Sequence, residues 1–337
     1  MRRLVLTVLL FLLAIPFQAA AWNRSPATVF ATLPVGATPP EGITVDVHGN
    51  VYVSTFGFPA SGPTAGPGQL FVFDRQGKVL RQVAVAGASA HLLGLAFHPL
   101  TGDLLVIDFG AGKVLKVNPL TGAASVFTHI GGSAGLNALA FDSAGNVYIS
   151  DSFQGIIWQT GPAGGPASAW LTSPLLTTSG VPPFGATGLA FNRNGTALLV
   201  ANTGNDSVVK IPVTSGAPGA PSVLAYSING ADGLIIDEDD NIWVAANQAD
   251  ELVVLDPSGK VIAKLGDFGG INTNGAVNGL LFPASLVFSG EHVLVTNLVL
   301  DLRLFGVPTV DSQWTAEVTR YTVAKIHKRI PRLRDLH

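Results

Sequence analysis

The sequence contains no cysteine. A disulfide framework, thiolate metal sites and a cysteine nucleophile are therefore excluded. Charge is scarce as well: 12% of the residues are Asp, Glu, Lys or Arg and the net charge is -3, so there is no electrostatic case for a nucleic-acid partner. Long apolar runs are missing beyond the N-terminus, and with them any second candidate membrane span. Residues 1–21, MRRLVLTVLLFLLAIPFQAAA, set Arg2 and Arg3 before an apolar run from Leu4 to Phe17 and small residues at Ala19 and Ala21. That is the layout of an export signal cleaved before Trp22, and the run is shorter than the roughly 20 residues a span requires. The expectation is a secreted or periplasmic protein with no stable membrane span after cleavage.

The chain is rich instead in apolar residues (47%), with 39 glycines and 22 prolines spread between apolar runs without a tripeptide period. This is the composition of many short strands and turns around a substantial core. Aligned against itself, the sequence yields six copies of one unit: EGITVDVHGNVYVST, LGLAFHPLTGDLLVIDF, NALAFDSAGNVYISDS, TGLAFNRNGTALLVANT, DGLIIDEDDNIWVAAN and ASLVFSGEHVLVTNL. They begin at Glu41, Leu93, Asn137, Thr187, Asp232 and Ala284, at intervals of 52, 44, 50, 45 and 52 residues. Each unit alternates apolar residues at period two, turns through a polar stretch and alternates again, which is a hairpin. Most are followed by a third strand (GKVLKVNP, ELVVLDPSGK) and a fourth (KVIAKLG, PSVLAYS). Four strands repeated six times predict an all-β fold, a six-bladed β-propeller over residues 22–337. The last unit has a third strand expected at residues 316–323 and then a basic tail, about 325–337, in place of a fourth. The segment 27–34, ATVFATLP, is predicted to supply that strand and close the ring, which removes exposed edges.

In such a ring the residue opening each unit points toward one mouth of the central channel. Glu41 and Asp232 bring carboxylates there, Asn137 an amide and Thr187 a hydroxyl, beside Leu93 and Ala284. Oxygen donors without histidine or thiolate suit Ca2+ first, with Mg2+ or Zn2+ as alternatives. The other reading is that Glu41 and Asp232 satisfy loop amides or face channel water. The ends of the second strands, Asp108, Asp151, Asn202, Asn247 and Asn297, return to the same face as an outer set.

These residues resemble a known family, the senescence marker protein, gluconolactonase and luciferin-regenerating enzyme group of six-bladed propellers. The resemblance is carried by Glu41-Gly42, by LNALAFD around Asn137 and most closely by DGLIIDEDDNIWVA from Asp232. It implies one divalent metal at the channel mouth, held by Glu41 and Asp232, with Asn137 contacting a small-molecule substrate. Thr187 stands where the family usually has a metal-binding asparagine, so its hydroxyl or a water would fill that place. Gly135 and Leu136 stand where an arginine often accompanies the third-blade asparagine. The expected activity is hydrolysis of a lactone or ester by a monomer, with Asp232 as proton acceptor. The alternatives are a non-catalytic binding platform, because NALAFDSAGNVYISDS also resembles NHL repeats, and a strictosidine-synthase-like condensation enzyme, for which no pocket glutamate is assignable.

Other features carry less. GGSAG at residues 131–135 matches G-x-S-x-G, but Ser133 precedes a strand where the nucleophile elbow requires a strand-to-helix turn. His91, two residues before Leu93, could reach the mouth as a substrate contact or proton shuttle, or be a solvated loop histidine. Trp243 reads as core. The stretches 56–69 and 296–313 interrupt the blades on the metal face and are candidate lids.

Overall fold

A computed structural model describes residues 25–307 and 311–330, so the export-signal segment 1–21, Trp22 and the basic end 331–337 lie outside the described residues. The innermost strands are Pro40–Val45, Leu92–Phe97, Leu136–Phe141, Ala186–Phe191, Ala231–Ile236 and Pro283–Ser289, one for each repeat. Each opens a four-stranded antiparallel path in a sheet of its own, giving the six-bladed propeller. Thr28–Thr32 pairs antiparallel with Thr322–His327, from Thr28 opposite Lys325 to Thr32 opposite Thr322 with a bulge between Val29 and Ala31, so the N-terminal strand closes blade six as expected.

Two details differ from the sequence reading. The third strand of blade six is Thr322–His327, not 316–323, which puts Lys325 inside the blade. The cause is an unexpected hairpin, Phe268–Ile271 with Val277–Gly279: the amides of Thr319 and Arg320 bond Gly275 O at 3.0 and 3.1 Å, holding the approach to the strand outside the blade.

The inner strands meet their second strands with one shared irregularity. In all six blades the ladder slips across the repeat-opening residue, between Pro40 and Ile43, Leu92 and Leu95, Leu136 and Leu139, Ala186 and Leu189, Ala231 and Leu234, and Pro283 and Leu286. A bulge re-aims a side chain and frees its backbone from the ladder. In three blades one hydroxyl takes up both freed groups. Ser54 accepts the Gly42 N–H (3.1 Å) and donates to Leu93 O; Ser150 accepts from Ala138 (3.0 Å) and donates to Thr187 O (2.6 Å). Thr296 accepts from Ser285 (3.0 Å) and donates to Glu41 O (2.6 Å), stitching blade six to blade one.

In the four repeats where glycine follows the opening residue, the next blade's opening carbonyl lies too close for a side chain, 2.3–2.6 Å from where a Cβ would stand, whereas blades three and six carry Ala138 and Ser285 there. A Cβ on Gly188 would lie 2.4 Å from Asp232 O and 2.5 Å from Leu234 N, and backbone cannot give way cheaply. Gly188→Ala is accordingly expected to cost about 3 kcal/mol, read as a lowered urea midpoint at unchanged m-value; an unshifted midpoint would contradict this packing.

The turn between the first two strands is fixed by an aspartate that is structural. Asp237 accepts the amides of Asp239 and Asn241, the Asn241 side chain and the Trp243 indole, all at 2.9 Å, and Asp46 and Asp142 do the same with Tyr52 and Tyr148 as the aromatic partner. Trp243 is thereby 1% exposed and packs with Val254, Leu286 and Val293 between blades five and six, as read.

Candidate functional site

The bulges aim Glu41, Leu93, Asn137, Thr187 and Asp232 into one cavity at the channel mouth, with Asn247 beside them. The space is about 30 Å3, enough for one or two waters or a small cation. Every polar group in it is buried: Glu41 is 2% exposed, Asp232 7% and Thr187 1%. The alternative in which the two acids face open channel water is not what this geometry shows.

Burial dominates the electrostatics. It pushes the Asp232 carboxyl up to about 7, against hydrogen bonds from Asn247 and Thr187 that favour the anion. Glu41 is raised well above the usual carboxylate range, by burial first and the neighbouring Asp232 charge second, with a Ser285 hydrogen bond acting the other way. Among the described residues Glu41 Oε2 has no hydrogen-bond partner, and neither has Asn247 Oδ1. Two raised carboxyls and two orphaned buried oxygens are costly unless something positive completes them.

Thr187 lines the cavity, but its hydroxyl is engaged with Thr203 Oγ1 (3.0 Å), Ala231 O (3.3 Å) and Asp232. Asn247, whose position in the repeat places it in the outer set, also lines the cavity, with its Oδ1 unpartnered among the described residues. The other members of that set clamp loops. Asp108 accepts the Ser89 amide, Asp151 accepts the amides of Gly135, Phe153 and Gln154, Asn202 donates to Leu175 O and Thr177 O, and Asn297 accepts the Leu281 amide. In blade five the amide that matches Gly135 is Gly230, and Asp206 of the preceding blade already holds it at 2.7 Å. Asn247 is thus released toward Asp232. Gly230, at φ +68, leaves room: a Cβ there would lie 1.9 Å from Asn247 Oδ1.

Asn137 faces the cavity, as the sequence implied. His91 is not among the lining residues; Phe56, bridged to it backbone to backbone, contributes to the wall instead. The His91 ring packs on Phe58 with centroids 4.7 Å apart, and burial lowers its pKa against the Gly57 carbonyl and Asp108. Ser133 sits in an exposed turn before Leu136–Phe141, without the elbow geometry. Both candidate lids reach the cavity, through Phe56 and through Leu298 and Leu300, while residues 308–310 of the second lie outside the described residues. A third wall, Pro182 and Phe184, had no signal beyond the proline-rich GVPPFG run.

Among the described residues no three His, Cys, Asp or Glu side chains converge as a metal cluster, and no helix is long and apolar enough to cross a membrane. A cation here would rest on the Glu41 and Asp232 carboxylates plus the neutral Asn247 oxygen. That all-oxygen donor set, with two of its oxygens unpartnered, fits a hard divalent ion.

A family model described as "SMP-30/Gluconolactonase/LRE-like region" matches residues 184–266, the span from Phe184 through Thr187, Asp232 and Asn247. No curated protein matches the sequence. Among solved structures, a luciferin-regenerating enzyme superposes with TM-score 0.65 at 14% identity, covering 91% of this chain and 96% of its own. Regucalcin from Agrobacterium tumefaciens, a calcium-binding protein, gives 0.62 at 16% identity over 91% and 98%. A gluconolactonase from Xanthomonas campestris gives 0.61 at 14% over 82% and 93%. The family resemblance read from the sequence is borne out by this family-model match, which spans Asp232 but not Glu41 or Asn137, and by the shared propeller.

Proposed function

We propose that this chain is an exported, monomeric hydrolase that opens a lactone or related ester at the Glu41–Asp232 mouth with one divalent cation, Ca2+ first. The observation that carries the reading is the pair of buried, raised carboxyls beside two orphaned oxygens in a cation-sized space. A binding platform would have no use for so unfavourable a pair, and buried, strongly perturbed acids in a cleft mark functional sites. The family-model match and the gluconolactonase neighbour support the reaction class, and the leader-like residues 1–21 support export.

Glu41, Asp232 and Asn247 would hold the ion, with Thr187 orienting Asp232 through its hydroxyl. A bound divalent cation supplies Lewis-acid polarisation of an ester carbonyl. Asn137 presents its amide to a substrate oxygen. Asp232 accepts the proton of the attacking water as the new C–O bond forms, and returns it to the alkoxide when the ring C–O bond breaks, giving a hydroxy acid.

The purified protein assayed on a panel of lactones and aryl esters is expected to turn over at least one of them with Ca2+ and to lose about 100-fold or more in rate with EDTA. Turnover that EDTA leaves unchanged would contradict the cation, and an inactive panel would contradict the hydrolase.

A further inference from the structure

The wall of the cavity differs in chemistry from its floor, and the difference bears on substrate class. All six polar lining residues belong to the ring or stand directly on it: Glu41, Asn137, Thr187, Thr203, Asp232 and Asn247. Thr203 donates to Ala231 O at 2.8 Å, the Thr187 hydroxyl is engaged as described, and Asn247 bonds Asp232. The unpartnered Glu41 Oε2 and Asn247 Oδ1 belong to the donor set proposed for the cation, which leaves Asn137 for a substrate oxygen. Among the described residues no lysine, arginine or histidine lines the cavity.

Above the floor the wall is hydrocarbon: Phe56, Pro182, Phe184, Phe282, Leu298 and Leu300. Aromatic rings continue it outward. Phe184 lies 5.7 Å from Phe153 and 6.0 Å from Phe305 between centroids, and Phe109 lies 5.6 Å from Phe153 and 5.8 Å from Phe56. Phe153 at this rim is 49% exposed. The approach to the ring is therefore an aromatic vestibule. A lactone is larger than this space of about 30 Å3, so its substituent would lie against the apolar wall at the mouth.

We propose that the site takes lactones or esters bearing an alkyl or aromatic substituent and turns away polyhydroxylated sugar lactones. This rests on the hydrolytic reading above. Each sugar hydroxyl carried past Phe184 and Leu300 would lose water without gaining a partner, and unpaired buried polar groups are what an apolar pocket rejects most strongly. Each methylene laid against the same wall is instead favourable.

The test is a Ca2+-loaded assay of δ-valerolactone, its alkyl-extended series up to δ-undecalactone, dihydrocoumarin and glucono-δ-lactone. The expected result is a gain in kcat/KM of about four-fold per added methylene over the first several, with glucono-δ-lactone the poorest substrate. In Phe184→Ser, KM for δ-undecalactone should rise more than KM for δ-valerolactone, flattening the series, with the circular dichroism spectrum and melting temperature reporting that the fold is intact. A flat series in the wild type, or preference for glucono-δ-lactone, overturns the proposal while leaving the hydrolase standing. If no lactone is hydrolysed the hydrolase reading falls, and calorimetric binding of the same unhydrolysed compounds decides this one. Binding that tightens with chain length sustains the apolar site; binding of glucono-δ-lactone alone, or of none, overturns it.

Discussion

Asp232→Asn is expected to reduce kcat/KM on the best lactone by about 1,000-fold and to abolish Ca2+ uptake, while the metal-free protein folds at least as well as wild type at pH 8. The three effects share one cause. Asp232 is buried and its pKa is pushed up to about 7, so at pH 8 the metal-free protein holds an anion that its surroundings disfavour. Asparagine removes that charge and keeps an oxygen to accept from Asn247. It also removes the proton acceptor and half of the carboxylate charge available to a cation. Activity and stability therefore move in opposite directions, as they do where an active site is held at a cost to folding. Asp237, five residues along, is the contrasting case: it accepts four hydrogen bonds in the turn. Asp237→Ala should lower stability and leave substrate KM unchanged. An Asp232→Asn protein with wild-type turnover would remove Asp232 from the mechanism.

The second large effect is a pH dependence of folding in EDTA. The unfolded carboxyl has its ordinary pKa of 3.8 and the folded Asp232 about 7. Below the lower value both states hold the proton and nothing changes. Between the two, the folded state keeps a proton that the unfolded state has released, so stability falls as pH rises; above the folded value both are ionised and the loss is complete. Over that window the loss is about 4 kcal/mol for Asp232 alone, and the raised Glu41 adds in the same direction. His91 works the other way below its ordinary value, because burial lowers its pKa and folding then favours the neutral ring. Comparing wild type with Asp232→Asn cancels that contribution. The variant should match wild type at pH 4 and exceed it increasingly toward pH 8, by chemical denaturation at each pH, and saturating Ca2+ should abolish the gap. A gap that is absent, or that narrows as pH rises, would contradict the raised pKa.

Much of this molecule is legible in its sequence because repetition supplies its own control. Six copies of one hairpin set the fold, and comparing their opening residues separates Glu41 and Asp232 from Leu93 and Ala284 at the same place on the scaffold. Closure by Thr28–Thr32 followed from counting strands in the last unit. The repeated glycine is visible in the sequence, but its cause, the close approach of the next blade's backbone, is a property of the assembled ring. Asn247 was misjudged for a similar reason. Its position matches Asp151, and only the spatial fact that Asp206 already holds the Gly230 amide releases it toward Asp232. The wall from Pro182 to Phe184 lies in a connection between blades, where no repeat exists to compare. The late start of Thr322–His327 depends on a hairpin whose pairing with the preceding segment is non-local.

In the proposed site Glu41, Asp232 and Asn247 together trade a proton for a metal. The direct measurement is calorimetric titration of EDTA-treated protein with Ca2+ at pH 6.5, repeated in two buffers of different ionisation enthalpy to count protons. One Ca2+ per chain is expected, with proton release from the carboxyl pair, weakened in Asn247→Leu and lost in Asp232→Asn. Absence of binding, or binding without proton release that survives Asp232→Asn, would contradict it.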